Sequence, residues 1–169
     1  MKLTVAKELK LPGTIGEAEW TEQGEALEES TGVRFAKPVA VRARFVFDGD
    51  GFGVEGEIKT TFLSQCARCS KEFEEPFEAG FDERFERGAG PDDEIYPFTG
   101  DELDMSDLVR DAILLNKANF SLCKPDCRGL CPVCGQDLNT SQCGCKSGEN
   151  EQKSPFAALE ALLKDDKEV

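Results

Sequence analysis

From Lys37 onward apolar and polar residues alternate. Val39, Val41, Ala43, Phe45 and Phe47 are interleaved with Arg42, Arg44 and Val46, the two-residue period of a half-buried strand. Asp48-Gly49-Asp50-Gly51 follows, residues that tolerate positive φ and so predict a hairpin turn. The return strand puts Phe52, Val54, Ile58, Thr60 and Phe62 on one face and Glu55, Glu57 and Lys59 on the other. A third alternating segment, Phe77, Ala79, Phe81 and Phe85, follows Pro76 and carries acids on its opposite face. Three such segments joined by short turns predict an antiparallel β-meander or small barrel-like sheet whose phenylalanines share one core face.

The flanking pattern is weaker. Ahead of Lys37, Glu17, Glu19, Glu22, Glu25, Glu28 and Glu29 accumulate with no basic residue among them, which reads as a solvated loop or edge. The stretch from Gly88 to Gly100 breaks regular structure and reads as a loop. Beyond it the spacing predicts a helix near 106–115, with Ser106 capping the first turn, Asp107 at its positive end, and Leu108, Ala112 and Leu115 on one stripe. After Asn116 the residues become small, polar and cysteine-rich as far as Ser147, then a polar linker leads to Ser154-Pro155. That pair opens a predicted last helix with Phe156, Leu159, Leu162 and Leu163 on its apolar edge. The expected architecture is α+β: a β-rich domain over 1–120 with a packed helix, a Cys-rich module over 121–147, and a linker and short C-terminal helix over 148–169.

Length and charge then narrow the function. A chain of 169 residues with 39% apolar content can bury roughly 70% of its unfolded surface, so no staple is needed merely to fold. The net charge of −14 removes an overall basic field for non-specific nucleic-acid binding. Histidine is absent, which excludes Ser-His-Asp and Cys-His nucleophile systems and His-containing zinc sites. The first ten residues carry scattered charge rather than a signal-peptide core, and no uncharged apolar run approaches the ~20 residues of a membrane span. The protein is therefore expected to be soluble and cytoplasmic, without a membrane partner or a small-molecule substrate. In a reducing compartment, eight cysteines read as metal ligands rather than disulfides.

Their spacing is Cys66-x2-Cys69, then Cys123-x3-Cys127-x3-Cys131-x2-Cys134-x8-Cys143-x-Cys145. Zn2+ accepts four thiolates at about 2.3 Å in a tetrahedron, and a Cys-x2-Cys turn lets two sulfurs converge. Cys131-Pro132-Val133-Cys134-Gly135 has that form, with Pro132 fixing φ and Gly135 free to adopt the positive φ that closes the turn. Two pairs can complete its tetrahedron: Cys123 with Cys127 upstream, or Cys143 with Cys145 downstream. Cys66 and Cys69, between two predicted strands, can meet whichever pair is left over, giving a second four-thiolate site; a two-metal cluster is a further arrangement. A redox reading of this pair would want it at the start of a helix in a βαβ unit, whereas its flanks look antiparallel.

Charge sorts with the cysteines. Residues 121–147 sum to +1, from Lys124, Arg128 and Lys146 against Asp126 and Asp137, while the rest of the chain carries −15. Arg68 and Lys71 likewise stand without an acid between Ser64 and Lys71. Arg68, Lys71, Lys124 and Arg128 are thus the candidate contacts for RNA or an anionic partner, or they offset thiolate charge and nothing more.

The Cys66-Ala67-Arg68-Cys69 turn, the helix after Leu103-Asp104, and Gly129-Leu130-Cys131-Pro132-Val133-Cys134-Gly135-Gln136-Asp137-Leu138-Asn139 together resemble the YceD family, also called large ribosomal RNA subunit accumulation protein. The closing Ser154-Pro155-Phe156-Ala157-Ala158-Leu159 is similar to that family's C-terminal helix. The resemblance implies a non-enzymatic factor in ribosome biogenesis that supports accumulation or processing of large-subunit ribosomal RNA, with a structural zinc site. Its partner would be ribosomal RNA or the pre-ribosomal large subunit, reached directly or through a basic protein. A zinc-binding protein adaptor and a Cys66/Cys69 thiol oxidoreductase are the competing readings.

Overall fold

The computed structural model describes residues 1–88, 90 and 95–145. The linker and last helix expected beyond residue 147 lie outside them. The chain divides into two compact units, Met1–Asp126 and Cys127–Val169.

The first unit is a sheet body with two helices, the α+β class expected. In chain order it holds β1 (Lys2–Thr4), a single 3-10 turn at Glu8–Lys10, β2 (Ile15–Glu22), α1 (Glu25–Thr31), β3 (Val39–Phe47), β4 (Gly51–Gln65), β5 (Glu72–Arg87), β6 (Tyr96–Phe98), β7 (Glu102–Asp104) and α2 (Ser106–Asn116). The five-stranded sheet runs β2-β3-β4-β5-β6, and β1 pairs with β7 separately. Neighbours from β2 to β5 are antiparallel, while β6 joins β5 in parallel at Phe85–Arg87. Between β3 and β4 the Asp48 carboxylate accepts from the Asp50 and Gly51 amides at 3.1 and 3.0 Å, and Gly49 takes φ +110°, which fixes the hairpin. β4 and β5 pair along their whole length, from Gly51↔Glu86 to Gln65↔Glu72, so the turn holding Cys66 and Cys69 caps a long, twisted ribbon.

One face of this sheet is the core. Val39, Val41, Ala43 and Phe45 of β3, Phe52, Val54, Ile58 and Phe62 of β4, and Phe81 and Phe85 of β5 pack with Leu108, Val109, Ala112 and Ile113 of α2. Phe52 meets Phe47 and Phe98 at ring separations of 5.0 and 5.4 Å. Gly56 is required where β4 passes closest to its neighbours: a Cβ there would lie 2.1 Å from the Arg42 carbonyl and 2.5 Å from the Phe81 ring. The opposite face is an ionic lattice in which Arg42 pairs Glu19 and Glu57, and Arg44 pairs Glu55.

Several local expectations change. Of the two readings of the acidic segment before Lys37, the edge holds and the loop does not: it is edge strand β2 followed by α1. Its alternation is hidden because two of the positions on β2's core side are Gly16 and Ala18, and a Cβ on Gly16 would strike the Phe45 ring at 2.2 Å. The 88–100 loop contains the short parallel strand Tyr96–Phe98, with Tyr96 stacked on Phe85 at 5.3 Å. β5 begins four residues before Pro76, which is tolerated because β6 covers β5 only at Phe85–Arg87 and a missing N–H there costs no described pairing. Ser106 does not cap α2 through its side chain; Asp104 does the equivalent, accepting from the Ser106 amide at 3.0 Å. Leu115 is 83% exposed, because the buried stripe is Leu108, Val109, Ala112 and Ile113, rotated one position from the expected one.

Candidate metal centres

The eight cysteines form two groups. Cys66, Cys69, Cys123 and Cys127 bring four sulfurs within 4.8 Å of one another, and Cys131, Cys134, Cys143 and Cys145 do the same. The Cys131–Cys134 turn is therefore completed by the downstream pair, and Cys66–Cys69 by the upstream one.

Two turns of the same bonding pattern start these groups. In one, the Gly135 amide donates to the Cys131 carbonyl at 2.9 Å and the Cys131 amide to the Gln136 carbonyl at 2.8 Å, with Gly135 at φ +74°. In the other, the Ser70 amide donates to the Cys66 carbonyl and the Cys66 amide to the Lys71 carbonyl, both at 2.9 Å, with Ser70 at φ +57°. Among the described residues Ser70 is the one non-glycine at positive φ. A serine does not advertise that conformation as Gly135 does, which is why the second turn is the less legible of the two in the sequence. Ala67 then donates its amide to the Ser121 carbonyl at 2.9 Å, which brings the segment bearing Cys123 beside the first turn.

The donor set fits a tetrahedral thiolate-loving cation. Four sulfurs about 2.3 Å from a common centre stand roughly 3.8 Å apart, and Cys69 and Cys123 are 3.7 Å apart. Backbone amides supply the next layer. The Cys123 N–H, followed by those of Cys69 and Arg68, pulls the Cys66 thiol down to about 6 against its burial. The Cys134 and Val133 N–H groups do the same for Cys131, also to about 6, and Val133 N lies 3.4 Å from the Cys131 sulfur. Cys145 moves the other way, pushed up to about 12 by the proton it shares with Cys134, by burial and by the neighbouring thiolate charge. In the second group one thiolate thus forms readily while Cys143 and Cys145 resist ionising beside it, unless a cation neutralises the cluster.

The candidate basic contacts are all exposed. Arg68 and Lys71 lie on the first turn, Lys124 between Cys123 and Cys127, and Arg128 directly after Cys127. Lys124 is 3.9 Å from Asp126, an exposed pair of little energetic weight. Among the described residues no helix is long and apolar enough to cross a membrane. Asp137 and Asn139 are polar residues of this region to which the sequence assigned no role; both sit in its most distinctive string, where Asn139 bonds to the Cys127 sulfur and the Asp137 carboxylate accepts from Asn139.

Fold and site together define a sheet-built α+β protein carrying two four-cysteine groups able to hold a metal. The chain belongs to the YceD family, described as large ribosomal RNA subunit accumulation protein YceD, whose match spans residues 54–163 and so includes all eight cysteines. Among curated proteins it is similar to the chloroplastic large ribosomal RNA subunit accumulation protein YCED homolog 1 of Zea mays, 38% identical over 65 residues, 38% of this chain and 22% of that one. Uncharacterized proteins of Mycobacterium bovis and Mycobacterium tuberculosis are 30% identical over 98 residues, 53% of this chain and 46% of theirs. The chain thus spans less than half the length of these curated relatives. No solved structure matches it.

Proposed function

We propose that this protein is a non-enzymatic cytoplasmic factor that supports accumulation and processing of large-subunit ribosomal RNA, with its eight cysteines holding two structural zinc ions. The observation that carries the reading is membership of the YceD family over a span that contains both cysteine groups. The maize relative's name as a large ribosomal RNA subunit accumulation protein homolog points the same way. Depletion followed by profiling of ribosomal subunits tests it: large-subunit RNA is expected to fall while small-subunit RNA holds, and normal large-subunit RNA would overturn the assignment.

Zinc is favoured by the all-thiolate donor set and the 3.7 Å sulfur separation. Four protein ligands close each site and leave no open position for substrate, which supports a structural role. The same closure argues against Cys66 and Cys69 as a redox pair, since ligated thiolates are not available for exchange. Elemental analysis of freshly purified protein is expected to give two zinc ions per chain, one per four-thiolate group. Iron in the same sites, or eight thiols that all titrate, would refute the zinc assignment.

The partner is ribosomal RNA within the pre-ribosomal large subunit, approached through a basic protein. The net charge of −14 and the carboxylates on the solvent face of the sheet support contact with a basic polypeptide over naked RNA. Arg68, Lys71, Lys124 and Arg128 are too few to neutralise many phosphates. Capture of that basic protein should survive ribonuclease; loss of all partners on ribonuclease treatment would favour direct RNA contact.

A further inference from the structure

Asp137-Leu138-Asn139 forms a hook inside the loop between Cys134 and Cys143. The Asp137 carboxylate accepts from the Asn139 backbone amide and from its side-chain Nδ2, both at 2.8 Å. That locks the Asn139 side chain with its amide turned back along the chain. Its Oδ1 accepts from the Arg128 backbone N–H at 2.9 Å, and its Nδ2 donates to the Cys127 sulfur at 3.5 Å. The Leu138 amide donates to the Gly129 carbonyl at 3.0 Å, and Leu130 bridges Asp137, so the hook is pinned to residues 127–130 on both sides. Cys127 is a member of the first cysteine group, while the loop carrying Asn139 is the one a metal in the second group closes.

We propose that Asn139 is a positioning residue that aims and charge-stabilises the Cys127 thiolate for the first metal group, and that it couples the loading of the two groups. The inference rests on the zinc reading above. Only a side chain with both a donor and an acceptor can satisfy the Cys127 sulfur and the Arg128 N–H at once, and of residues this size asparagine alone has them in one plane. Outer groups that bond a metal ligand typically govern about 10–100-fold of metal affinity. A metal on Cys131, Cys134, Cys143 and Cys145 fixes the loop, the fixed loop holds Asn139, and Asn139 holds Cys127. Because the coupling is a free energy, the first group must favour loading of the second by the same factor.

The test uses the full chain loaded with zinc or cadmium and titrated with a chelator. Cadmium NMR gives one resonance for each four-thiolate site, assigned with Cys66→Ser and Cys145→Ser. In the wild type, Cys145→Ser is expected to weaken the first group by about 10–100-fold. Asn139→Ala is expected to weaken it comparably, with the double variant no worse than either single one. Asn139→Asp keeps the shape and the bond to Arg128 but sets a carboxylate against sulfur, so it should lose at least as much affinity as alanine. An Asp variant that binds as tightly as wild type would mean a purely structural role and overturn the proposal. A two-zinc chain in which Asn139→Ala leaves both affinities unchanged would overturn it alone, whereas a wild-type chain that takes up no metal would overturn the zinc reading and this inference with it.

Discussion

Removing metal should unfold the segment from Cys127 to Cys145 while leaving the sheet folded. The buried apolar side chains of the first unit form a continuous core, from Val5 and Leu27 through the strands to Ile113 of α2. Among the described residues of the second unit, the buried apolar side chains are Cys127 and Cys131 alone. Its regular bonding is a handful of contacts, such as Cys131 to Gln136, Gly135 to Cys131 and Leu138 to Gly129. At about 1 kcal/mol net for each bond, these cannot offset the ordering of residues 127–145 at roughly 1–2 kcal/mol per residue. The cation must supply the difference, and the binding free energy of a structural zinc site, about 10–16 kcal/mol at neutral pH, is of the size required. Amide hydrogen exchange reads this directly. Chelation should speed exchange at Cys131, Gly135 and Leu138 by about a thousandfold, while Val41, Val54 and Phe81 keep their protection. If the amides from 131 to 138 stay protected in metal-free protein, the segment has a stability of its own and the reasoning fails.

Gly56→Val should destabilise the sheet by at least about 3 kcal/mol, the upper end for overpacking, because the new Cβ would meet the Arg42 backbone carbonyl rather than a side chain that can swing away. Equilibrium denaturation measures this, and a loss under about 1 kcal/mol would show that β3 and β4 separate easily. Ser70→Val should weaken metal retention at the first group and Ser70→Gly should not, since φ +57° is strained for a β-branched residue and relaxed for glycine. Equal chelator resistance in both variants would count against that turn geometry. Tyr96, the chain's single tyrosine, should ionise above the ordinary phenol value, because burial first and then the Asp111 carboxylate, 3.1 Å from its hydroxyl, disfavour the phenolate. Its folded value is raised, so the contribution to stability is complete below about 10 and is lost as pH rises further. Tyrosinate absorbance followed through alkaline titration checks this, and a midpoint at the ordinary value would contradict the buried pairing with Asp111.

Where hydrophobicity alternated with large side chains, the strands were legible: the alternating apolar positions from Val39 to Phe45 and Phe52 to Phe62 are buried in β3 and β4. β2 was not, because its core positions had to be small where the Phe45 ring lies over them, and a small inward residue leaves no signal in a hydrophobicity pattern. Leu115 was misassigned for a related reason. A helical stripe fixes which residues share a face, but the direction that face points depends on the sheet it meets.

The cysteine count, the absence of histidine and the Cys-x2-Cys spacings already pointed to thiolates as the ligands of any zinc, since no imidazole was present to share the site. The partition of those thiols was decided only in three dimensions. Cys66 and Cys69 are separated from Cys123 by more than fifty residues, and their meeting depends on a β4–β5 turn whose left-handed residue is a serine. Spacing along a chain specifies which ligands can share a turn; which turns share a metal is set by where the packed sheet carries them.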